Sequence, residues 1–258
     1  MTDSYENFKE KVFTLTKIDL NAYKERQMKR RIDSLIGKHK KDSYTDYIDL
    51  LKKDKERFDE FVNYLTINVS EFYRNPEQWQ LLEKEILPLL LANSPNIKIW
   101  SAACSTGDEP YSLVMLLSKF MPLSKIKIIA TDIDRQVLDK ARMGLYNVKS
   151  LKALPQEYIN KYFTKINDTT YQISDSIKAC VDFKEHNLLK DTYPSNCDLI
   201  VCRNVLIYFT EEAKEGIYRR FNAALKKEGI LFVGSTEQII QPASVGFASS
   251  KSFFYKKI

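Results

Sequence analysis

Apolar residues recur at helical spacing through the first quarter of the chain. They fall in four sets: Phe8, Val12, Phe13, Leu15; Tyr23, Met28, Ile32, Leu35, Ile36; Tyr44, Tyr47, Ile48, Leu51; and Phe58, Phe61, Val62, Leu65. Recurrence every three or four residues places such side chains on one face of a helix. Up to residue 65 there is no proline, and Gly37 is the only glycine. The pattern predicts four helices with short polar joints, the last two opened by Asp42-Ser43 and by Asp54. Thr66 to Pro76 (TINVSEFYRNP) follows neither period. Its polar Asn68, Ser70, Glu71 and Arg74 stand among Ile67, Val69, Phe72 and Tyr73, a mixture that packs in a cleft more often than it waves in solvent. Trp79 to Leu91 reads as an amphipathic helix broken at Pro88.

From Ile97 the period changes. Short apolar runs at Ile97–Trp100, Ile126–Ala130, Cys197–Cys202 and Ile230–Val233 read as strands. Between them lie helical patterns: Tyr111 to Leu117, Gln136 to Met143, and Glu211 to Lys226. Tyr162 to Phe183 breaks this rhythm, with turn signals at Asn167-Asp168 and Ser174-Asp175. It reads as a small antiparallel meander that ends in a further core strand. The chain closes on a strand, Ser252 to Ile258, with Phe247 starting its hairpin partner. The predicted fold class is α/β: a doubly wound sheet with an antiparallel edge and a small antiparallel β insert, preceded by an all-α N-terminal domain. The expected domains are 1–70 and 71–258, with the insert at about 148–180.

Composition narrows the function classes. With 258 residues and 44% apolar content the chain can build a large core. No apolar run approaches the roughly 20 residues of a membrane span, and the start MTDSYENFKEK lacks the apolar core of a signal peptide. A cytoplasmic protein is expected. The four cysteines form no CxxC pair and are read as reduced core residues. Two histidines, His39 and His186, make a Ser-His-Asp or Cys-His hydrolase and a polyhistidine metal centre improbable, so no metal is expected. The net charge of +6 is local: between Ala22 and Lys41 eight bases stand against Glu25 and Asp33. On the second helix Met28, Ile32, Leu35 and Ile36 share one face, with Arg26, Lys29 and Arg30 roughly opposite. With Arg31 these form a candidate docking surface for an acidic partner.

The stretch Ile97 to Ser112, IKIWSAACSTGDEPYS, carries the candidate chemistry. It reads as strand, small-residue turn and helix, with Pro110 in the first turn. Open α/β sheets bind nucleotides at such a turn. It has no GxGxxG and no Gly-Lys-Ser/Thr, and Asp108 and Glu109 at the helix start repel a pyrophosphate. A ligand with a nucleoside and positive charge fits better, and S-adenosylmethionine (SAM) is one. Asp132 ends the second strand 25 residues past Gly107, where nucleotide-binding βαβ units place an acid for the ribose hydroxyls.

Six motifs in order, TINVSEFYRN, WSAACSTGDEPYS, ATDID, HNLL, CRNVLIYF and GSTEQ, make the chain resemble the CheR-type chemotaxis receptor methyltransferases. These are SAM-dependent enzymes that form glutamate methyl esters on bacterial chemoreceptors. The resemblance covers nearly the whole chain. It implies a Rossmann-like SAM domain with a β-subdomain, after a helical N-terminal domain. By position it implies that Asn68, Ser70 and Arg74 reach the methionine end of SAM and the reaction centre. Glu109 then serves the amino-acid moiety, Asp132 the ribose, and Asn187 and Leu188 the adenine. Arg203 and Asn204 lie beside the cofactor, and Tyr208 points toward the sulfonium. Asp108 stands where many members have Glu, and Ser70 where many have Thr; both keep their chemical type.

The implied reaction agrees with the residues. A glutamate carboxylate is already ionised at pH 7, so no general base is required and alignment is the main task. Arg74 suits the acceptor because a guanidinium grips a carboxylate as a fork, and Tyr208 is assigned to the methyl path. The implied partner is the cytoplasmic methylation region of chemoreceptors, met by a monomer recruited to the inner membrane face without insertion. Two rivals stand beside this reading. A nucleic-acid methyltransferase would use the same basic patch, but Arg203-Asn204-Val205-Leu206 occupies the place of the Asn/Asp-Pro-Pro-Tyr loop. A non-catalytic SAM-binding docking module is opposed by the absence of any incompatible residue at a site position.

Overall fold

The computed structural model describes residues 3–258. They form two compact units, one of residues 3–68 with Tyr208–Glu215 and one of Val69–Ile207 with Gly216–Ile258.

The first unit holds α1 (Tyr5–Thr16), α2 (Glu25–Lys38), α3 (Tyr44–Lys53) and α4 (Lys55–Thr66), the four helices that the spacing predicts. Side-chain oxygens set three of their starts. Ser4 accepts from the Asn7 amide at 3.3 Å, Ser43 from Asp46 at 3.0 Å and Asp54 from Arg57 at 3.1 Å. Each bond satisfies a first-turn donor that the helix leaves without a partner. Phe8, Val12, Ile32, Tyr47 and Phe61 form an inaccessible core, with Phe61 edge-on to both Phe8 and Tyr47. α2 buries Met28, Ile32, Leu35 and Ile36, the predicted face. Of the basic residues, Arg26 and Arg30 are exposed. Lys29 pairs with Asp33 at 3.2 Å. Arg31 donates to the Tyr64 carbonyl at 2.6 Å and lies over the Tyr64 ring.

The second unit begins with an irregular segment and then α5 (Pro76–Leu81), a π-helical turn (Leu82–Ile86) and α6 (Leu87–Asn93). The expected break at Pro88 is not there. A proline removes an amide donor and crowds the carbonyl four residues back. The helix answers ahead of the ring, widening into the π turn, and resumes with Pro88 in the first turn of α6.

The strands are β1 (Ile99–Ala102), β2 (Ile128–Asp132), β3 (Leu145–Asn147), β4 (Phe163–Lys165), β5 (Thr170–Ile173), β6 (Val181–Glu185), β7 (Cys197–Cys202), β8 (Leu225–Val233), β9 (Phe247–Lys251) and β10 (Phe254–Lys257). The remaining helices are α7 (Asp108–Leu117), α8 (Arg135–Met143), α9 (Gln156–Tyr162), α10 (Asp175–Lys178) and α11 (Glu211–Ala224). Seven strands form one sheet in the order β6-β2-β1-β7-β8-β10-β9. The first five are parallel, and β10 runs antiparallel to both its neighbours. β1 and β7 are buried at every position, as central parallel strands are. From β1 the chain builds outward through β2 and β6, then returns to build the other side through β7 and β8. The switch point therefore lies between β1 and β7, where such sheets bind ligands.

A separate sheet, β3-β5-β4, is the antiparallel insert. Its hairpin turns at Asn167-Asp168 as predicted, with the Asn167 side chain accepting from the Thr169 amide at 2.9 Å. The second expected turn, at Ser174-Asp175, is instead the start of the one-turn helix α10. Tyr162 closes α9 rather than opening a strand.

Candidate active site

The turn after β1 is held by main-chain bonds. Ala103, Ser105 and Gly107 all have positive φ, at 68°, 48° and 88°. The Cys104 amide donates to the Thr131 carbonyl at 2.9 Å. A Cβ on Gly107 would lie 2.9 Å from the Ala141 Cβ and 3.1 Å from the Tyr111 ring, so only glycine fits against α8. Asp132, at the end of β2, accepts from the Ser105 amide at 2.8 Å on one oxygen and from the Asp134 amide at 3.0 Å on the other. One buried carboxylate thus joins the loops that follow two neighbouring strands.

Glu109 lies in the first turn of α7. It accepts from the Ser101 hydroxyl at 2.8 Å, and its other oxygen stands 3.7 Å from Arg203. Arg203 follows β7 directly. Its Nη2 donates to the Arg74 carbonyl at 2.6 Å, to Asn75 Oδ1 at 3.1 Å and to Gln78 Oε1 at 2.8 Å. The guanidinium lies over the rings of Phe232 and Trp79. Arg74 is half-buried and donates to the Val69 carbonyl at 3.2 Å. Its neighbours Tyr73 and Asn75 both have positive φ. The Ser70 hydroxyl hydrogen-bonds the buried Asp108 carboxylate, which also takes the Thr106 hydroxyl at 2.5 Å.

The sheet order sets these groups side by side along its carboxyl edge. Asn187 and Leu188 follow β6, with the His186 amide donating to the Asp132 carbonyl at 2.9 Å. Asp132 ends β2, Ser105 and Glu109 follow β1, and Arg203 and Asn204 follow β7. The Asn187 side chain accepts from the Leu189 amide at 2.9 Å and so shapes its own turn. Of the sequence-predicted site residues, Asn68 and Tyr208 fall in the first unit. There Asn68 donates to the Thr66 hydroxyl at 2.8 Å, and the Tyr208 carbonyl accepts from the Lys24 amide at 2.9 Å.

Sequence reasoning missed Ser101, Gln78 and Glu237. Glu237 is 5% exposed and accepts main-chain donors from the Asn204–Ile207 segment. Its signal was within the GSTEQ motif: an acid just past a core strand, as at Asp132. Ser101 lies, with its partner Glu109, within the motif WSAACSTGDEPYS; Gln78 gave no signal, because it acts on a partner brought to it by the fold.

Burial dominates the electrostatics. It pushes the Glu109 carboxyl up to about 7, with Arg203 and Ser101 opposing. It pushes Asp132 up to about 6, against the Asp134, Ser105 and Ile133 amides that favour its charge. Burial likewise lowers Arg203. An edge rich in buried anions is short of cations, and a phosphate would worsen that. A cationic ligand with vicinal hydroxyls would relieve it. The Ser105 hydroxyl and Asn204 Oδ1 are also buried without a partner among the described residues, which leaves them to a polar ligand. The donors and acceptors present are of the kind SAM needs: carboxylates suited to its ammonium end and ribose hydroxyls, and buried polar atoms without a partner among the described residues.

The raised carboxyl predicts a pH dependence. A carboxylic acid held above its ordinary 4.5 in the fold binds more protons folded than unfolded, so its contribution is lost as pH climbs from 4.5 through about 7. Between pH 4.5 and 8, the stability difference between Glu109→Gln and the parent should move by about 3 kcal/mol in favour of the variant. Denaturant unfolding without ligand, at several pH values, measures this. A difference that stays flat across the range would refute it.

A family model described as "CheR methyltransferase, all-alpha domain" matches residues 3–66, and one described as "CheR methyltransferase, SAM binding domain" matches residues 68–254. The chain is 44% identical over 241 residues to the chemotaxis protein methyltransferase of Listeria monocytogenes, covering 93% of this chain and 92% of that one. It is 35% identical over 235 residues to that of Borreliella burgdorferi, covering 86% and 83%. With that of Salmonella typhimurium it shares 34% over 205 residues, covering 76% and 70%. Across both its helical and its sheet-bearing parts, the chain belongs to the CheR methyltransferase family.

Proposed function

We propose that this methyltransferase transfers the methyl group of SAM to glutamate side chains of bacterial chemoreceptors, leaving carboxyl methyl esters. The observation that carries this reading is the match of nearly the full chain, helical domain included, to chemotaxis protein methyltransferases. The site chemistry supports it. When bound, SAM supplies a methyl group on a cationic sulfur, which an ionised carboxylate accepts with no proton to remove. The chain's own residues have to hold, orient and exclude. Glu109, Asp132 and Asn204 hold the cofactor by charge and hydroxyl or amide contacts, and Asn187 and Leu188 flank the adenine. Arg203 keeps the segment carrying Ser70 and Arg74 against the sheet. Arg74 orients the incoming glutamate, since a guanidinium meets a carboxylate as a fork.

Docking is the task of the basic face of α2. Exposed Arg26 and Arg30 are free to steer an acidic helical surface, whereas Lys29 and Arg31 divide their charge between that surface and their own neighbours. Among the described residues no helix is long and apolar enough to cross a membrane. The protein is read as meeting its receptors from the cytoplasm.

Three outcomes test the reading. Incubated with methyl-labelled SAM and chemoreceptor membranes, the protein should label the receptor band, and mild alkali should release the label as methanol. Alkali-stable label, or label on added nucleic acid alone, would sink it. Arg74→Ala should lower turnover by about 100-fold or more, the range for loss of a positioning group, with SAM affinity nearly unchanged; equal losses would make Arg74 a cofactor ligand. Neutralising Arg26 and Arg30 together should raise the receptor KM at low salt, and the effect should fade as salt shortens the screening length to about 8 Å and below. An effect independent of salt would remove α2 as the steering surface.

A further inference from the structure

One buried carboxylate of the second unit has no role in the reading so far. Glu237 sits three residues after Gly234, in the loop that follows β8. Its Oε2 accepts from the Asn204 amide at 2.6 Å and the Gly234 amide at 2.9 Å. Its Oε1 accepts from the Leu206 amide at 2.6 Å and the Ile207 amide at 3.3 Å. A carboxylate offers about four lone-pair sites, and here four main-chain donors fill them. Three of these donors belong to the loop after β7, the neighbouring strand, where Cys202 stands in register with Val233. Glu237 therefore laces together the ends of two adjacent strands on the side where the sheet binds ligand.

The local sequence is built around this bond set. A Cβ on Gly234 would lie 2.6 Å from Glu237 Oε2 and 2.8 Å from the Asn204 amide nitrogen, so glycine is what lets the carboxylate reach the loop. Asn204 is held at a φ of 61°, an uncommon conformation for a residue with a side chain. In that conformation its Oδ1 is buried and has no partner among the described residues. Backbone held this way costs free energy and persists only where its surroundings over-determine it.

We propose that Glu237 is a positioning residue that sets the cofactor affinity by fixing Asn204. The inference rests on the reading of this edge as the SAM site. Only an acceptor on both sides can do the work. The amide of glutamine turns an NH2 toward two of the four amides, and that half of the loop is released.

The test is SAM binding by calorimetry on the full chain, with receptor KM and thermal unfolding measured in parallel. The variants are Glu237→Gln, Glu237→Asp, Asn204→Ala and the Glu237→Gln/Asn204→Ala double. Glu237→Gln should raise the SAM Kd about tenfold or more, as loss of buried hydrogen bonds does, while the receptor KM stays at the parent value. Glu237→Asp keeps both acceptors on a shorter stem and should recover part of the affinity. Asn204→Ala should add little in the double variant, because Glu237 acts through Asn204. A parent-like Kd in Glu237→Gln, or full additivity in the double, would overturn the proposal. If Glu237→Gln does not fold, Glu237→Asp carries the test, because it keeps the charge and only shortens the stem that reaches the loop. A raised SAM Kd in that variant supports the proposal and an unchanged one overturns it. A parent protein that binds no SAM would instead overturn the cofactor reading, before any variant is compared.

Discussion

The site depends on one buried cation. Arg203 is 7% exposed, and a guanidinium cannot shed its proton to escape that burial. The fold has to answer it with acceptors. It does so with a carbonyl and two side-chain oxygens from the stretch Arg74–Gln78, with Glu109, and with the faces of Trp79 and Phe232. Removing the carboxylate of such a set costs about 3–5 kcal/mol, because a buried charge then loses its opposite. The irregular segment ahead of α5 is therefore pinned to the end of β7 by need rather than by apolar packing alone. That pinning carries Arg74 to the carboxyl edge.

The same logic recurs around the edge. Asp132 joins the loops after β1 and β2, Arg203 joins the loop after β7 to the segment before α5, and Glu237 joins the loops after β7 and β8. Asp132 and Glu237 take main-chain amides as partners, and Arg203 takes a main-chain carbonyl beside its side-chain oxygens. Main-chain groups do not change with the side chains around them, so the frame stays put while the residues facing the ligand are free to specialise. This suits a reaction whose barrier is lowered mainly by alignment, where small displacements cost large factors in rate.

The sequence revealed what periodicity and local chemistry can reveal. The buried face of α2 and the caps Ser43 and Asp54 follow from neighbours three or four residues away. The short apolar run CDLIVC, bounded by loop residues, reads as a strand, and β7 is buried at every position. The turn after β1 was legible because small residues, a glycine and an acid-proline helix start report their own geometry. Three kinds of feature were not. The response to Pro88 lay upstream of it, in how the helix redistributes its hydrogen bonds. The strand β3 is only three residues long and is defined by its pairing with β5. The partners of Arg203 and Glu237 lie about 125 and 30 residues away in sequence, and only the strand order brings them together.

The strained loops have a consequence for how such a chain can change. Tyr73, Asn75, Ala103, Ser105 and Asn204, all with side chains and all at positive φ, gather on the segments that carry the site. Each stores on the order of 1 kcal/mol that a glycine would release. A lineage adapting to heat would find easy gains in relaxing these positions, and each gain would loosen the mould that fits the ligand. Thermal hardening of this fold is thereby steered away from the carboxyl edge, toward helix caps, surface charge and the remote core.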